Sequence, residues 1–301
     1  MLVSLIFFSL SVLGTEKPDL MVVGNNFRIP ATQQIHFIPQ KQIDPELFED
    51  SSLPRIVDLR NDQSKVKSQG PRGACTYFVV TSLTEYLIKQ KTGKEIDMSE
   101  EYLAWASKAK LKMRSLEEDS SVAVNALALQ SFGFMFEDDH PYQQSWFDEG
   151  LPCQGQKGKP DVNPLCYSHS GPDSDALGRI IDGKDFIFKA VDSSSIDVVR
   201  SLAGSRTPVS LSMLGHKEMW DQTYNSGDFY LTKKWKTECQ NDRKRCGGHA
   251  ILVVGYDLNK RIFFIKNSWG EKWGRKGFGT ITFDYVDQMS DRKFMTGFHS
   301  K

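Results

Sequence analysis

The stretch from Gln69 to Phe78 constrains the fold of this chain more than any other. Its sequence, Gln-Gly-Pro-Arg-Gly-Ala-Cys-Thr-Tyr-Phe, passes from small and polar residues directly into an apolar segment. Apolar residues then recur at the i, i+4 spacing of a helix, and Gly93 supplies a stop. The residues at that spacing are Val79, Leu83 and Leu87. The pattern predicts a buried, central helix that begins at Cys75.

A cysteine at the start of a helix is a candidate nucleophile. Unpaired backbone N–H groups and the helix dipole favour negative charge there, so a thiol is shifted toward the thiolate that attacks a carbonyl carbon. Gln69, six residues upstream, carries an amide donor that can join the Cys75 backbone N–H in stabilising an oxyanion. A cysteine such as Cys75, taken by itself, is more often a buried structural residue than a nucleophile, so this interpretation requires a base elsewhere in the chain.

The candidate base is His249, which stands between Gly248 and a strand-like apolar run. Asn267 ends a second apolar run, and Trp269 follows it closely. An asparagine can fix the imidazole tautomer by accepting the Nδ1 proton, and a tryptophan can shield that hydrogen bond from water. Each residue alone fits a structural role, His249 in the core and Asn267 in a turn. Together with Cys75 they form the minimum set for nucleophilic catalysis.

With these residues in this order, the chain resembles the papain family of cysteine peptidases, and most of all its compact bacterial-type members. The resemblance spans roughly Val57 to Phe283. It rests on the six-residue separation of Gln69 and Cys75, on Gly-His-Ala at 248–250, and on Asn-Ser-Trp-Gly-x-x-Trp-Gly at 267–274. Three separate motifs in the family's order are specific, whereas any one alone would be weak.

The resemblance implies both a fold and a set of roles. Cys75 is expected to be the nucleophile, His249 the general base and acid, Asn267 the residue that orients His249, and Gln69 an oxyanion donor. The implied fold is α+β, in two lobes. A helical N-terminal lobe contains the central helix, an antiparallel, β-barrel-like C-terminal lobe follows, and the active-site cleft lies between them.

Three positions depart from the pattern of many relatives. Arg72 stands where they have a disulfide cysteine, Thr76 replaces an aromatic residue after the nucleophile, and Asp119-Ser120 replaces a cysteine-bearing Gly-Gly loop. We therefore expect that disulfide to be absent, and the subsite contacts of those relatives are not transferred to this chain.

The predicted activity is that of a cysteine-type endopeptidase that hydrolyses peptide bonds through a thiolate–imidazolium pair and an acyl-enzyme. Two alternatives remain: acyl transfer to an amine at the same site, and a non-catalytic peptide-binding or inhibitory protein on this scaffold. We expect protein or peptide substrates, no cofactor, no metal and a monomer. Because 38 basic side chains balance 38 acidic ones, bulk charge gives no reason to expect a nucleic-acid or membrane-surface partner.

The N-terminus predicts export. Residues 1–14 form a short apolar run that is typical of a signal peptide, although a positively charged n-region is missing. A misassigned start codon or a buried N-terminal segment is the alternative. We expect residues 15–52 to be a short leader or prosegment and residues 53–301 to be the peptidase domain, with an insertion near 150–178. The predicted location is secreted or periplasmic, or a lysosome-like compartment in a eukaryote, with no membrane anchor after signal removal.

Besides Cys75, the chain has four cysteines: Cys153, Cys166, Cys239 and Cys246. Two local disulfides are the natural pairing, but four cysteines allow three connectivities, and free thiols in a reducing compartment are a further alternative. A zinc site at Cys239, Cys246 and His249 lacks an evident fourth ligand.

The remaining pattern predicts helices in the first half and strands in the second, which favours an α+β fold. Ser99 is predicted to cap a helix that runs through Trp105, and a third helix is expected from about Ser121 to Phe132, closed by Gly133. Strands are predicted at 208–214, 251–256, 261–266 and 279–283. His140, His169 and His216 are interpreted as surface or loop residues.

Overall fold

The structure is a computed structural model that describes residues 21–23, 27–29, 52–111, 120–144, 171–192, 194–290 and 293–299. The predictions for the signal peptide, for Cys153, Cys166 and His169, and for most of the insertion lie outside the described residues.

The helix predicted at the nucleophile forms as expected. Helix α1 spans Cys75–Thr92 and ends at Gly93, whose φ of 69° lies in the left-handed region that glycine adopts readily. Ser99 caps α2 (Glu100–Trp105) by accepting a 2.9 Å hydrogen bond from the Tyr102 backbone. The other helices are α3 (Val122–Phe132), α4 (Ser174–Leu177), α5 (Ser195–Ser205), α6 (Lys217–Thr223), α7 (Lys233–Asn241) and α8 (Phe283–Met289).

The strands form one large sheet and one small hairpin. The strands are β1 (Met21–Val23), β2 (Phe27–Ile29), β3 (Ile56–Asp58), β4 (Phe186–Asp192), β5 (Val209–His216), β6 (Asp228–Phe229), β7 (Cys246–Asp257), β8 (Ile262–Lys266), β9 (Phe278–Thr282) and β10 (Lys293–His299). Strands β1 and β2 pair with each other, and β3 pairs with β7. The main sheet has the order β4-β10-β5-β7-β8-β9-β6 and is antiparallel except for the β6–β9 pair. The α+β class is thereby confirmed, and the described strands form an open path rather than a closed barrel.

Helix α1 and strand β7 are the centre of the core. The first 13 residues of α1, from Cys75 to Leu87, are all buried, and the helix packs against β7, β10 and β5. An isolated helix that is apolar on most faces is unstable in water, so its stability comes from this packing. The contact places the strand that carries His249 against the helix that Cys75 opens.

Candidate active site

His249 and Asn267 lie side by side because two neighbouring strands bring them together. In the antiparallel β7–β8 pair, Leu252 lies opposite Lys266, so Asn267 follows β8 at the end where His249 stands in β7. His249 Nε2 donates a 2.7 Å hydrogen bond to Asn267 Oδ1. The Ser268 backbone N–H donates to the same oxygen at 2.8 Å, which fixes the orientation of the amide.

The ring nitrogen that faces Asn267 differs from the predicted one. The sequence-based expectation that Asn267 accepts the Nδ1 proton is wrong, because Nε2 is the ring nitrogen that lies 2.7 Å from Asn267 Oδ1. This hydrogen bond fixes the neutral His249 ring in the tautomer that carries its proton on Nε2, so that Nδ1 is the acceptor nitrogen.

Two tryptophan rings pack against His249. Trp269 stacks on His249 at a centroid distance of 4.6 Å and an interplanar angle of 27°. Trp220, in α6, meets the His249 ring edge-on at 5.6 Å and the Trp269 ring at 5.4 Å. Such edge-to-face contacts are favourable beyond the area they bury. The predicted shield at Trp269 is therefore supplemented by a second tryptophan.

Sequence reasoning missed Trp220 because no local signal marks it. Its indole lies over Gly215, where an added Cβ would come within 2.0 Å of the ring. Gly215 belongs to β5 and pairs with Gly247 of β7, so the space for the indole exists only once the sheet has formed.

Burial favours the neutral form of His249. It lowers the pKa of His249 to about 4, and the hydrogen bond to Asn267 opposes this effect. An imidazolium at this position therefore needs a nearby negative charge, and a thiolate at Cys75 would supply one.

Cys75 is the first residue of α1 and is 7% exposed. The preceding residue, Ala74, provides no side-chain cap, and the first turn contains no acidic residue. The positive end of the helix dipole at Cys75 is thus not offset by a carboxylate of the first turn.

Gln69 is completely buried and is held at both ends of its amide. Nε2 donates a 2.6 Å hydrogen bond to the Arg72 carbonyl, and Oε1 accepts one of 2.6 Å from Ser268 Oγ. The Gln69 backbone N–H donates to the Ser268 carbonyl at 2.8 Å, and Ser68 forms a β-bridge with Trp269. The loop that precedes Cys75 is therefore joined directly to the segment that follows Asn267. Since an amide nitrogen has two hydrogens, the bond to the Arg72 carbonyl uses one of them.

Two of the departures from the family pattern have structural explanations. Thr76 Oγ1 accepts a 3.1 Å hydrogen bond from Asn125 Nδ2, and Ser107 Oγ donates to Asn125 Oδ1 at 3.0 Å. A buried polar chain thus occupies the place where many relatives have an aromatic residue. Arg72 forms a buried ion pair with Glu101, with 2.5 Å between Nη1 and Oε2.

Cys239 and Cys246 form a disulfide between α7 and β7. This decides one pairing that the sequence left open, and both sulfurs are used in the bond.

The interpretation of His216 as a surface or loop residue is wrong. It is 3% exposed at the end of β5, where Nε2 lies 2.8 Å from Glu238 Oε2, because α7 covers that strand. In the described ranges, no helix is long and apolar enough to cross a membrane.

The architecture defines the class of protein. The crystal structure of xylellain, a cysteine protease from Xylella fastidiosa, superposes with a TM-score of 0.67 over 95% of this chain and 98% of that chain, at 20% identity. The fold is therefore that of the papain-like cysteine proteases.

A profile described as "Papain family cysteine protease" matches residues 53–290, and the chain belongs to this family. The oryzain gamma chain of Oryza sativa subsp. japonica is 25% identical over 232 residues, which are 76% of this chain and 55% of that protein. Cathepsin Q of Rattus norvegicus is 26% identical over 241 residues, 77% of this chain and 60% of that protein. The chain thus spans little more than half the length of these two relatives.

Proposed function

We propose that this chain is a cysteine-type endopeptidase in which Cys75, His249, Asn267 and Gln69 carry the reaction. The observation that supports this most is the 2.7 Å bond from His249 to Asn267 under Trp269, on a strand that packs against the helix opened by Cys75. Membership of the papain family supports peptidase activity in general.

The reaction begins with the Cys75 thiolate, which attacks the scissile carbonyl carbon. The carbonyl π electrons move to oxygen, and Gln69 Nε2 and the Cys75 backbone N–H stabilise the resulting oxyanion. His249 then gives its Nδ1 proton to the amine as the C–N bond breaks, which leaves a thioester on Cys75. His249 removes a proton from water, the hydroxide attacks the thioester, and the carboxylic acid product leaves as the thiolate is restored.

The decisive test of the proposed nucleophile is to remove the sulfur of Cys75. Cys75→Ala is expected to abolish hydrolysis of a peptide substrate while the far-ultraviolet circular dichroism and the midpoint of urea unfolding stay unchanged. Peptide hydrolysis that survives in Cys75→Ala would remove the assignment. Tight peptide binding by a wild-type chain that has no turnover would instead favour a non-catalytic binding protein.

A second measurement tests the ion pair. An ordinary thiol titrates near pKa ~8.5, whereas a histidine-paired one can fall to about 3–4. We expect Cys75 to be alkylated rapidly by iodoacetamide at pH 5 in the wild-type protein and slowly in His249→Ala. Equal rates in the two proteins would mean that the pair does not form.

The N-terminal segment is proposed to be a short prosegment. Strands β1 and β2 of the leader both contact β7, the strand that carries His249, and β1 also contacts the turn Arg243–Arg245 that precedes it. A segment in this position would restrict access to the base side of the site. Cleavage of the full chain near residue 52 is expected to raise kcat/KM, and equal activity before and after cleavage would exclude this role.

The proposal also includes export from the cell and a monomeric state. Cell fractionation tests the export, and size-exclusion chromatography tests the monomeric state.

A further inference from the structure

The loop between Gln69 and Cys75 is held by a buried ion pair. Arg72 and Glu101 are both completely buried, and their side chains form two contacts: Nη1 to Oε2 at 2.5 Å and Nη2 to Oε1 at 3.3 Å. A two-point contact between a guanidinium and a carboxylate fixes orientation as well as distance. It ties the loop to α2, which carries Glu101 near its N-terminus.

The same ion pair holds a second segment, residues 141–143. Arg72 Nη1 donates a 2.5 Å hydrogen bond to the Gln143 carbonyl, and the Gln143 backbone N–H donates to Glu101 Oε2 at 3.2 Å. Both backbone groups of Gln143 are therefore attached to the two members of the pair.

Tyr142, in the middle of this segment, connects the ion pair to Gln69. The Arg72 guanidinium lies over the Tyr142 ring at 4.7 Å, and Phe78 of α1 meets the same ring edge-on at 4.9 Å. The Tyr142 hydroxyl donates a 2.9 Å hydrogen bond to the Gln69 carbonyl. Gln69 in turn donates through Nε2 to the Arg72 carbonyl at 2.6 Å, so the contacts form a closed circuit around the loop.

We propose that Tyr142 is a positioning residue for the oxyanion donor Gln69, and that the Arg72–Glu101 pair holds Tyr142 in place. This inference rests on the proposed peptidase function and deepens it. The circuit contains no sulfur, so the geometry of the oxyanion loop does not depend on a disulfide. The hydroxyl of Tyr142 acts on the substrate through Gln69, whose carbonyl it contacts, so Tyr142 is a positioning residue and not a catalytic one.

The variant Tyr142→Phe isolates this role because it removes one hydroxyl and retains the ring that contacts Arg72 and Phe78. We expect kcat for a peptide substrate to fall roughly tenfold, less than the loss of an oxyanion donor itself, with KM unchanged within about twofold. Alkylation of Cys75 by iodoacetamide is expected to keep its wild-type rate, because that reaction forms no oxyanion.

Tyr256→Phe is the matched control. The Tyr256 hydroxyl also donates a 2.9 Å hydrogen bond to a backbone carbonyl, that of Pro54, but it lies away from Gln69. We expect kcat of this variant to stay at the wild-type value.

A double-mutant cycle separates positioning from a general loss of stability. In a Gln69→Ala background, Tyr142→Phe should cause no further decrease in kcat, since the group it positions is gone. Independent, multiplicative effects, or a Tyr142→Phe variant as active as Tyr256→Phe, would overturn the inference while leaving Cys75-dependent turnover intact. Absence of turnover in the wild-type chain, or its persistence in Cys75→Ala, would overturn the peptidase function and this inference with it.

Discussion

The two sides of the candidate site are built in different ways. On the base side, His249 and Asn267 stand on neighbouring strands, and the sheet ladder itself brings them together. On the nucleophile side, Gln69 and Arg72 lie in a loop, and their positions depend on contacts with residues far away in sequence, such as Glu101 and Tyr142.

In the proposed mechanism, this difference separates the residues that carry out the reaction from the residues that hold them in place. The base side retains the complete family motif, in which His249 contacts both Asn267 and Trp269. The nucleophile side retains Gln69 and Cys75 but replaces the surrounding residues with an ion pair and a polar chain through Thr76 and Asn125. Residues that only hold the loop in place can be replaced by others that fix the same geometry. Residues that exchange protons or form bonds with the substrate cannot be replaced in this way.

The largest expected effect comes from removing the base. His249→Ala is expected to lower kcat/KM on the order of 10⁴–10⁶-fold, because both protonation of the leaving amine and activation of water are lost. Steady-state hydrolysis of a fluorogenic peptide measures this. His216→Ala serves as the control, since it removes another buried imidazole from the adjacent strand. A similar loss in both variants would assign the effect to the sheet instead of the base.

Breaking the ion pair tests the support of the nucleophile side. Glu101→Gln is expected to lower the free energy of unfolding by about 3–5 kcal/mol, because Arg72 is left buried without its counter-charge. Urea denaturation measures the change. The control is Asp58→Asn, which breaks the partly exposed pair with Arg60 and should cost below about 1 kcal/mol. The double variant Arg72→Met/Glu101→Leu removes both charges and should therefore be more stable than Glu101→Gln. If it is no more stable, the unpaired charge of Arg72 is not the cause of the lost stability.

Removing the oxyanion donor tests chemistry on the nucleophile side. Gln69→Ala is expected to lower kcat by about 10²–10³-fold. Gln63→Ala is the matched control, because Gln63 is also buried and donates through Nε2 to a backbone carbonyl, that of Leu59, at 3.0 Å. Comparable kcat values for the two variants would contradict a role for Gln69 in the reaction.

The disulfide gives the smallest expected effect and tests the base side. Cys239→Ser/Cys246→Ser should lower the free energy of unfolding by about 2–3 kcal/mol, as estimated for a short closed loop. We expect kcat to change little, because the β5–β7 and β7–β8 ladders still hold His249. A kcat that falls as steeply as in Gln69→Ala would show that the disulfide, more than the ladders, positions the base.

The pH dependence follows from the burial of His249. In Cys75→Ala no thiolate is present, and we expect His249 to titrate at a pKa of about 4. In the unfolded chain the same histidine has a pKa of about 6.5, so the unfolded state binds its proton more tightly than the folded state does. The free energy of unfolding of this variant should therefore be constant above about pH 6.5 and fall as the pH decreases toward 4. Urea midpoints across this range check the sign, and a stability that rises toward pH 4 would contradict it.

Local sequence was enough to predict the elements that carry the site. The start of α1 at Cys75 and its end at Gly93 follow from an apolar period and a glycine stop, and Ser99 and Ser121 mark two helix starts as predicted. These signals act over a few residues, so they are readable without the fold. Strand β4, at the edge of the sheet, and strand β10, which lies between β4 and β5, are not predicted from the sequence.

The sequence alone determined the residue types of the chemistry, their order and the helix that presents Cys75. Tertiary structure decided which nitrogen of His249 faces Asn267, where the Trp220 ring lies, and how Arg72 pairs with Glu101. The physical reason is distance along the chain. Helix periods and caps depend on neighbouring residues, whereas hydrogen-bond partners, buried charges and ring contacts depend on a strand register and on packing that form only when remote segments meet.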